Sequence, residues 1–274
     1  MLRRSAFARV AYHPVRYSNG RPRAPRVIIG PFVKRWPWIK IFFFGSLGYY
    51  FGKKQYKEWS YVPPETQFIR AVNVVPYGAL GTSLSMTGTQ RNIVQPPDED
   101  TVVVDPTALE YLMTTADDAT STSGAIYHWA GIKGMFPPEV REGVFKAGDA
   151  KRYNYDGKWI VHVVAPDFRV GDWTEREASI ELSRAYRNLL HEFVMTGKKR
   201  LRIPPLSYGM NAGDLYNQIP PLTQEALMSG FEQLHPFDKE HVLESEVELC
   251  IYFEREWDKF STVFTHVTPP SKLH

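Results

Sequence analysis

The chain has 274 residues, of which 43% are hydrophobic, and its 33 Lys and Arg are balanced by 30 Asp and Glu. This length and apolar content allow one large domain or two small ones with a real core. The single cysteine, Cys250, excludes internal disulfides, zinc sites built from several cysteines and Cys-x-x-Cys redox pairs. Residues 1–57 contain no acidic residue, and this asymmetry argues against a uniformly basic nucleic-acid-binding protein.

The first 35 residues have the composition of a mitochondrial targeting sequence. Residues 1–10 are rich in Arg and small residues, and further arginines follow together with Pro22 and Pro25. Acid-free, Arg-rich N-terminal segments are typical of mitochondrial transit peptides, and the prolines favour an extended arm over a helix. We therefore predict a basic targeting segment or extended arm over residues 1–35; a disordered basic tail is the alternative.

An apolar, aromatic-rich stretch with Lys or Arg on both sides lies within residues 36–57. Aromatic residues at the two ends and basic residues outside them are typical of a membrane helix. The apolar part, residues 36–52, is shorter than the roughly 20 residues that a span usually needs, and it includes Lys40. We predict one membrane helix here; a buried or interfacial hairpin is the alternative. Three glycines suit close packing against a neighbouring membrane helix: Gly45, Gly48 and Gly52.

Residues 58–99 are rich in Pro, Gly, Ser and Thr, which favour turns and interrupt regular structure. The run 68–75 inside this segment has the composition of a β-strand. We therefore predict a Pro/Gly-rich connector over 58–99 that contributes one or two edge strands.

Strand patterns recur in the region 100–265, which we predict to be the globular domain. Residues 101–104 and 159–165 are continuous apolar runs, as expected for strands buried on both faces of a sheet. Residues 247–253 instead alternate apolar and polar side chains. That alternation predicts a half-buried strand near a sheet edge.

Helical periodicity lies between these strands. Residues 174–195 carry an apolar stripe at helical spacing, and Thr174 with Glu177 forms a capping-box pattern. Residues 223–234 predict a second helix. Strands that alternate with helices predict an α/β domain of three layers around a mixed, mostly parallel sheet. Residues 266–274 are predicted to be a tail.

Several segments of this domain resemble sequences of the macro domain family and follow one another in the family's order. The stretch 148–166 resembles the family's "G-x-A … V-I-H-x-V-G-P", and 203–209 resembles its "F-P-x-I-S-T-G" loop. The resemblance implies the three-layer macro fold, whose glycine-rich loops hold the diphosphate of ADP-ribose through backbone N–H groups. Further matching segments are 123–131, 183–190 and 249–254.

The segments that would hold ADP-ribose depart from the family pattern. The Asp that accepts from adenine is replaced by Thr89, and the Asn-containing motif is replaced by a loop that Pro106 would stiffen after Asp105. The triple-glycine loop becomes residues 119–124, with a single glycine, and the side chains there would obstruct the phosphates. The resemblance therefore implies a degenerate macro domain. Its vestigial pocket residues would be Gly124, Ser207, Gly209 and Asn211.

Other reactive residue types have simpler interpretations. No two histidines have H-x-x-x-H spacing, so no metal site is predicted. His162 lies in a buried strand and is interpreted as a core residue, and Ser207 lacks the G-x-S-x-G pattern of a nucleophile. The basic run 198–202 is interpreted as a solvated face, and nothing suggests a reactive thiolate at Cys250. No catalytic residue and no cofactor is expected.

The sequence therefore predicts a non-catalytic structural accessory subunit of a mitochondrial inner-membrane complex, either an ATP synthase or a respiratory complex. Its partners would be protein subunits of that complex and the lipid bilayer, with no nucleic acid and no small-molecule substrate. Two alternatives stay open. One is a membrane-anchored reader or hydrolase of ADP-ribose-type ligands, and the other is a mitochondrial ribosomal protein.

Overall fold

Six strands form the central sheet of the part of the chain that a computed structural model describes, which comprises residues 62–85 and 92–265. The strands are β1 (Asn73–Val75), β2 (Thr101–Thr107), β3 (Ala150–Tyr155), β4 (Lys158–Val164), β5 (Arg200–Ile203) and β6 (Glu246–Cys250). Their order across the sheet is β1-β6-β5-β2-β4-β3. Among these strands, only the β3–β4 pair is antiparallel. The prediction of a mixed, mostly parallel sheet is confirmed.

Helices cover both faces of this sheet. In chain order they are α1 (Pro64–Ala71), α2 (Leu109–Met113), α3 (Ser121–Ala130), α4 (Pro138–Arg141), α5 (Glu175–Val194), α6 (Ile219–Glu232), α7 (Pro236–Leu243) and α8 (Glu254–Thr265). Val102 and Val104 of β2 face the core formed with α1, α5, α6, α7 and α8. Val103 points the other way, into the core formed with α2, α3 and α4. Successive side chains of this buried strand therefore point into the two cores in turn, which is the arrangement expected of a sheet covered by helices on both faces.

Local sequence signals set the ends of the two longest helices. The predicted capping box is present at α5: the Thr174 hydroxyl accepts from the Glu177 backbone N–H, and the Glu177 carboxylate accepts from the Thr174 backbone N–H. Helix α6 starts at Ile219, earlier than predicted, because prolines can occupy the first helical turn, where their missing N–H has no helical acceptor. In the β-prone run 68–75, the first part is the end of α1 and the last three residues are β1.

The prediction that residues 247–253 form a half-buried strand is wrong, although the strand does lie near a sheet edge, next to β1. Strand β6 lies between β1 and β5 and ends at Cys250. Its polar positions are also buried, since Glu248 is 4% exposed and pairs with Arg202 on β5. The alternating pattern here marks a buried ion pair, and it does not mark a solvent-facing side.

The prediction that Asp105 and Pro106 lie in a loop is also wrong, because β2 continues through both to Thr107. Beyond Val103, β2 has ladder partners on β4 but none on β5 within the described residues. A strand with one unpaired side is the setting in which a proline, which lacks an N–H, can be accommodated.

The chain divides into two units between residues 61 and 62, and every described residue belongs to the second. The predicted targeting segment 1–35, the predicted membrane helix 36–57 with its three glycines, the tail 266–274 and Thr89 lie outside the described residues. Across 62–85 and 92–265, no helix is both long and apolar enough to cross a membrane.

Candidate functional site

A cavity of about 180 Å³ opens beside the carboxyl ends of β5 and β6. This is the side of a parallel sheet on which α/β proteins bind ligands. The turn 78–82, the start of α3 and the residues that follow β5 and β6 form its walls. The described lining residues are Gly78, Ala79, Leu80, Thr82, Ser121, Thr122, Ala125, Ile126, Pro204, Cys250, Tyr252 and Phe253.

The lining is uncharged over the described residues. Its polar groups are hydroxyls and the thiol of Cys250, whose pKa is raised mainly by burial, so the thiol stays protonated. Pockets that bury a drug-sized ligand usually have volumes of about 300–1,000 Å³. The cavity is therefore small, and its described lining residues include no lysine or arginine that could bind a phosphate group.

The loop before α3 has a strained backbone and packs tightly against itself. Ser121 has φ of +58°, a left-handed conformation that glycine adopts more easily than serine. A Cβ atom on Gly124 would lie 2.4 Å from the carbonyl oxygen of Ala119. Gly124 is thus needed for the close approach of α3 to the loop that precedes it. The two serines and the threonine that stand where the family has glycines, residues 121–123, begin the helix.

The second predicted loop, which contains Ser207, Gly209 and Asn211, is attached to the segment after β4. The Ser207 hydroxyl donates to the Pro166 carbonyl at 2.6 Å, although Ser207 has a left-handed φ of +55°. The Asn211 carbonyl accepts from the Phe168 N–H at 2.8 Å. Gly209 has φ of +73°, and no described atom lies within 4 Å of the position that a Cβ would take. Of the two glycines among the vestigial pocket residues, Gly209 has open space beside its backbone among the described atoms and Gly124 does not.

A buried polar cluster lies beneath the first turn of α3 and is centred on Asp105. The hydroxyls of Ser123 and Tyr127 each donate to its carboxylate at 2.6 Å, and the His162 Nδ1 lies 2.8 Å away. The His162 Nε2 lies 2.9 Å from the Tyr155 hydroxyl. The interpretation of His162 as a core residue is confirmed, since it is fully buried and both ring nitrogens have partners. Ser123 and His162 both contact the carboxylate, so they do not form a nucleophile–base pair.

The two tyrosines of this cluster remain protonated. Burial, followed by the negative charge of Asp105, raises the pKa of Tyr127 and of Tyr155 above the usual value. Both hydroxyls can therefore donate hydrogen bonds throughout the physiological range. The cluster thus holds the Asp105 carboxylate at the point where the family motif has an asparagine. The replacement of that asparagine by Asp105 was the feature of the sequence that pointed to this position.

A second buried network lies on the other side of the sheet centre, and sequence reasoning missed it. The Arg202 Nε donates to the Glu248 Oε2 at 2.7 Å, and the Tyr77 hydroxyl donates to the Glu248 Oε1 at 2.8 Å. A guanidinium nitrogen of Arg202 donates to the Gln95 carbonyl at 2.8 Å. These contacts join the segment that carries the turn 78–82 to β5 and β6. They hold one wall of the cavity in place.

The basic run 198–202 is neutralised by acidic partners. Lys198 lies 3.7 Å from Asp100 and Lys199 lies 3.0 Å from Glu244. Arg200 pairs with both Asp98 and Glu246, and Arg202 is the buried arginine of the second network. In the described ranges, no group of three or more His, Cys, Asp or Glu side chains is arranged to hold a metal ion.

A larger groove, of about 770 Å³, lies between α5 and α6, away from the strand ends. Its walls carry both signs of charge, with Arg176, Arg184 and Arg187 on α5 and Glu225 on α6. Arg184 already pairs with Glu181. We therefore place the candidate site at the smaller cavity, where strand ends and a helix start converge.

Replacement of Glu256 by Gln is expected to remove one part of the pH dependence of stability. Burial raises the pKa of this α8 carboxyl group from 4.5 to about 7, although Arg255 and Lys259 oppose the shift. Between these values the folded protein retains a proton that the unfolded chain releases, so the free energy of unfolding falls as the pH rises through this window. Denaturant unfolding across that range should give Glu256→Gln a shallower decline than wild type. Equal slopes for the two proteins would contradict the raised pKa.

Comparisons with known proteins gave one family match and several similar structures. The family model described as "Macro domain" matches residues 140–218. A macrodomain of Oceanobacillus iheyensis solved with ADP is similar, with a TM-score of 0.47 and 14% identity over 71% of this chain and 90% of that chain. A Trypanosoma brucei macrodomain gives a TM-score of 0.46 and 16% identity over 73% of this chain and 70% of that chain. No curated protein sequence matches this chain.

The matched segment runs from the end of α4 through β3, β4, α5 and β5 to the loop after β5. It includes two of the resembling stretches named from the sequence, 148–166 and 203–209. The similarity to macro domains rests on this match. The resemblance to macro domains stated from the sequence is confirmed, since the family model matches residues 140–218.

Proposed function

We propose that this chain is a non-catalytic structural subunit in which a macro domain serves as a rigid binding block and lacks the ADP-ribose site of its family. The observation that carries this proposal is the cleft itself. It has a volume of about 180 Å³ and an uncharged lining over the described residues. A diphosphate joined to two riboses and an adenine is larger than such a cavity can enclose.

Charge at the start of α3 supports the same proposal. The first turn of a helix attracts anions, because its N–H groups are free and its dipole is positive there. Here the Asp105 carboxylate already accepts a hydrogen bond from Ser123 in that turn. A diphosphate bound at the same turn would be repelled by a fully buried carboxylate, and such repulsion is strong where water is excluded.

The N-terminal sequence supplies the location in this proposal. The acid-free residues 1–35 and the aromatic- and Lys-flanked residues 36–57 favour a mitochondrial inner-membrane protein. We propose that the chain is an accessory subunit of an ATP synthase or a respiratory complex. Gly45, Gly48 and Gly52 would pack against a neighbouring helix of that complex.

A second candidate function is a membrane-anchored reader or hydrolase of ADP-ribose-type ligands. The family match over 140–218 favours it, because solved relatives include a macrodomain with ADP and a variant with ADPR. The open left-handed backbone at Gly209 also favours it, since such a position lets a phosphate approach closely.

The full-length chain is expected to give no measurable heat of binding when it is titrated with ADP-ribose. The physical reasons are the small cavity, whose described lining is uncharged, and the carboxylate beneath the start of α3. Isothermal calorimetry makes the measurement, and the Oceanobacillus iheyensis macrodomain titrated with ADP is the positive control. A dissociation constant near 1 μM, or about −8 kcal/mol, would overturn the structural proposal in favour of the second candidate.

In isolated mitochondria, the protein is expected to stay in the membrane pellet after washing with alkaline carbonate. After mild detergent extraction it should migrate on native gels with an ATP synthase or a respiratory complex. The reason is the predicted membrane helix over residues 36–57. Release by carbonate would contradict the anchor, and co-sedimentation with mitochondrial ribosomes would favour the ribosomal alternative.

A further inference from the structure

We propose that the groove between α5 and α6 is a docking surface for an amphipathic helix of a partner protein, whose carboxylates face the arginines of α5. This inference rests on the proposed function, because it names the surface through which a structural subunit would hold its partner. The groove shares no described lining residue with the cavity beside β5 and β6.

The shape of the groove is fixed by close contact between the two helices. A Cβ atom on Gly230 of α6 would lie 2.9 Å from the Arg187 backbone nitrogen, so the helices approach each other closely there. Two buried serines that line the groove, Ser179 and Ser183, leave a depression of about 770 Å³ between the larger side chains. The Ser183 hydroxyl already donates to the Ser179 carbonyl at 2.7 Å. The groove is therefore preformed, and the side chains of its walls select the occupant.

The α5 wall carries positive charge that no described carboxylate neutralises. Arg176 is exposed, and Arg187 donates to the neutral amide oxygen of Asn188 at 3.0 and 3.2 Å. Neither arginine forms an ion pair with a described residue, whereas Arg184 on the same wall is paired with Glu181. Two guanidinium groups are thus available to carboxylates of a partner.

Two acidic residues also line the groove, and they restrict where a partner's charges can lie. Glu175 occupies the first turn of α5, where free backbone N–H groups and the helix dipole offset its charge. Glu225 lies on the α6 wall and is exposed. A partner that fits both walls therefore presents carboxylates to α5 and a lysine or arginine to α6. A polyanion such as a nucleic acid would be repelled by Glu225.

The spacing of the α5 residues fits one face of a helix. Arg176 and Arg187 are separated along α5 by about 16 Å, because each helical residue adds about 1.5 Å. Ile180 lies between them in the sequence, lines the groove and is 58% exposed. A partner helix of about three turns or more can therefore bring two carboxylates to the arginines and an apolar side chain to Ile180. Amphipathic helices dock into grooves through such anchors on one face.

The test replaces Gln233 by a photoreactive benzophenone amino acid in the full-length chain, in the organism's own cells. Gln233 is exposed and lines the groove. The expected cross-link joins this position to a segment of another protein that carries acidic and apolar residues at helical spacing. The same probe in place of Glu232 is the matched control, because Glu232 is exposed and adjacent but is not among the described lining residues. The control should not give this cross-link.

Charge reversal then tests whether the arginines hold the partner. Arg176→Glu with Arg187→Glu should lower the cross-link yield by about tenfold or more, because attraction becomes repulsion. Arg70→Glu with Lys133→Glu makes the same change in net charge at two exposed residues outside the groove, and it should leave the yield unchanged. Arginines in place of the partner's facing carboxylates should restore the yield with the reversed chain, which a misfolded variant could not do.

The outcomes separate this inference from the proposed function. Absence of a cross-link specific to position 233, a cross-linked segment without carboxylates, a second copy of this chain as the product, or failure of the rescue would overturn the inference and leave the structural proposal standing. Rescued cross-linking to a subunit of an ATP synthase or a respiratory complex would support both. Rescued cross-linking together with micromolar binding of ADP-ribose would overturn the proposed function alone.

Discussion

Glu248→Leu is expected to lower the free energy of unfolding by about 3–5 kcal/mol, the usual cost of breaking a buried ion pair. The change leaves the Arg202 guanidinium buried without its carboxylate, since Arg202 is 0% exposed. It also removes the acceptor for the Tyr77 hydroxyl. Denaturant unfolding of the full-length chain, followed by tryptophan fluorescence, measures the loss.

The same two strands provide a matched control pair two residues earlier in each strand. Arg200 and Glu246 are paired across β5 and β6 as Arg202 and Glu248 are, but their side chains are 29% and 48% exposed. Glu246→Leu should therefore cost about 1 kcal/mol or less, as exposed ion pairs usually do. A similar loss for both variants would contradict the role we give to burial.

Replacing both members of the buried pair should restore most of the lost stability. An apolar pair such as Arg202→Met with Glu248→Leu leaves no unpaired charge, and such replacements are often neutral. This network also fixes the segment that carries the turn 78–82, which lines the cavity. The pair is therefore expected to support the site as well as the fold.

Much of the fold could be predicted because its signals are local. The run 101–104 is apolar on both strand faces, and β2 does lie inside the sheet. Thr174 and Glu177 are three residues apart, so their capping contacts need no tertiary information. The stretch 148–166 resembles the macro domain pattern, and it lies within residues 140–218, which the family model matches.

The rest could not be predicted, because the partners are distant in the sequence. Glu248 is an interior residue only because Arg202 lies beside it, 46 positions earlier. Alternation alone cannot distinguish a polar face in water from one that an ion pair neutralises. In the same way, Gly124 was assigned to a phosphate loop, whereas its missing Cβ makes room for the Ala119 carbonyl.

The Asp105→Ala variant is expected to lose about 3–5 kcal/mol of unfolding free energy. The carboxylate is fully buried and receives contacts from Ser123, Tyr127 and His162. Without it, each of these buried polar groups loses a partner, and an unsatisfied buried donor costs about 1–3 kcal/mol. Denaturant unfolding measures the loss, and Asp100→Ala, which alters an exposed carboxylate, should change stability by about 0.5 kcal/mol or less.

Asp105→Asn separates stability from ligand binding in the same cluster. An amide oxygen can still accept from Ser123 or Tyr127, so the cost should be about 1–2 kcal/mol, smaller than for alanine. The variant also restores an asparagine at the point where the family motif has one. ADP-ribose should nevertheless fail to bind, because the cavity of about 180 Å³ and the side chain of Ser121 at its mouth are unchanged. Calorimetry that found micromolar affinity in Asp105→Asn would mean that a single carboxylate, and not the shape of the cleft, excludes the ligand from wild type.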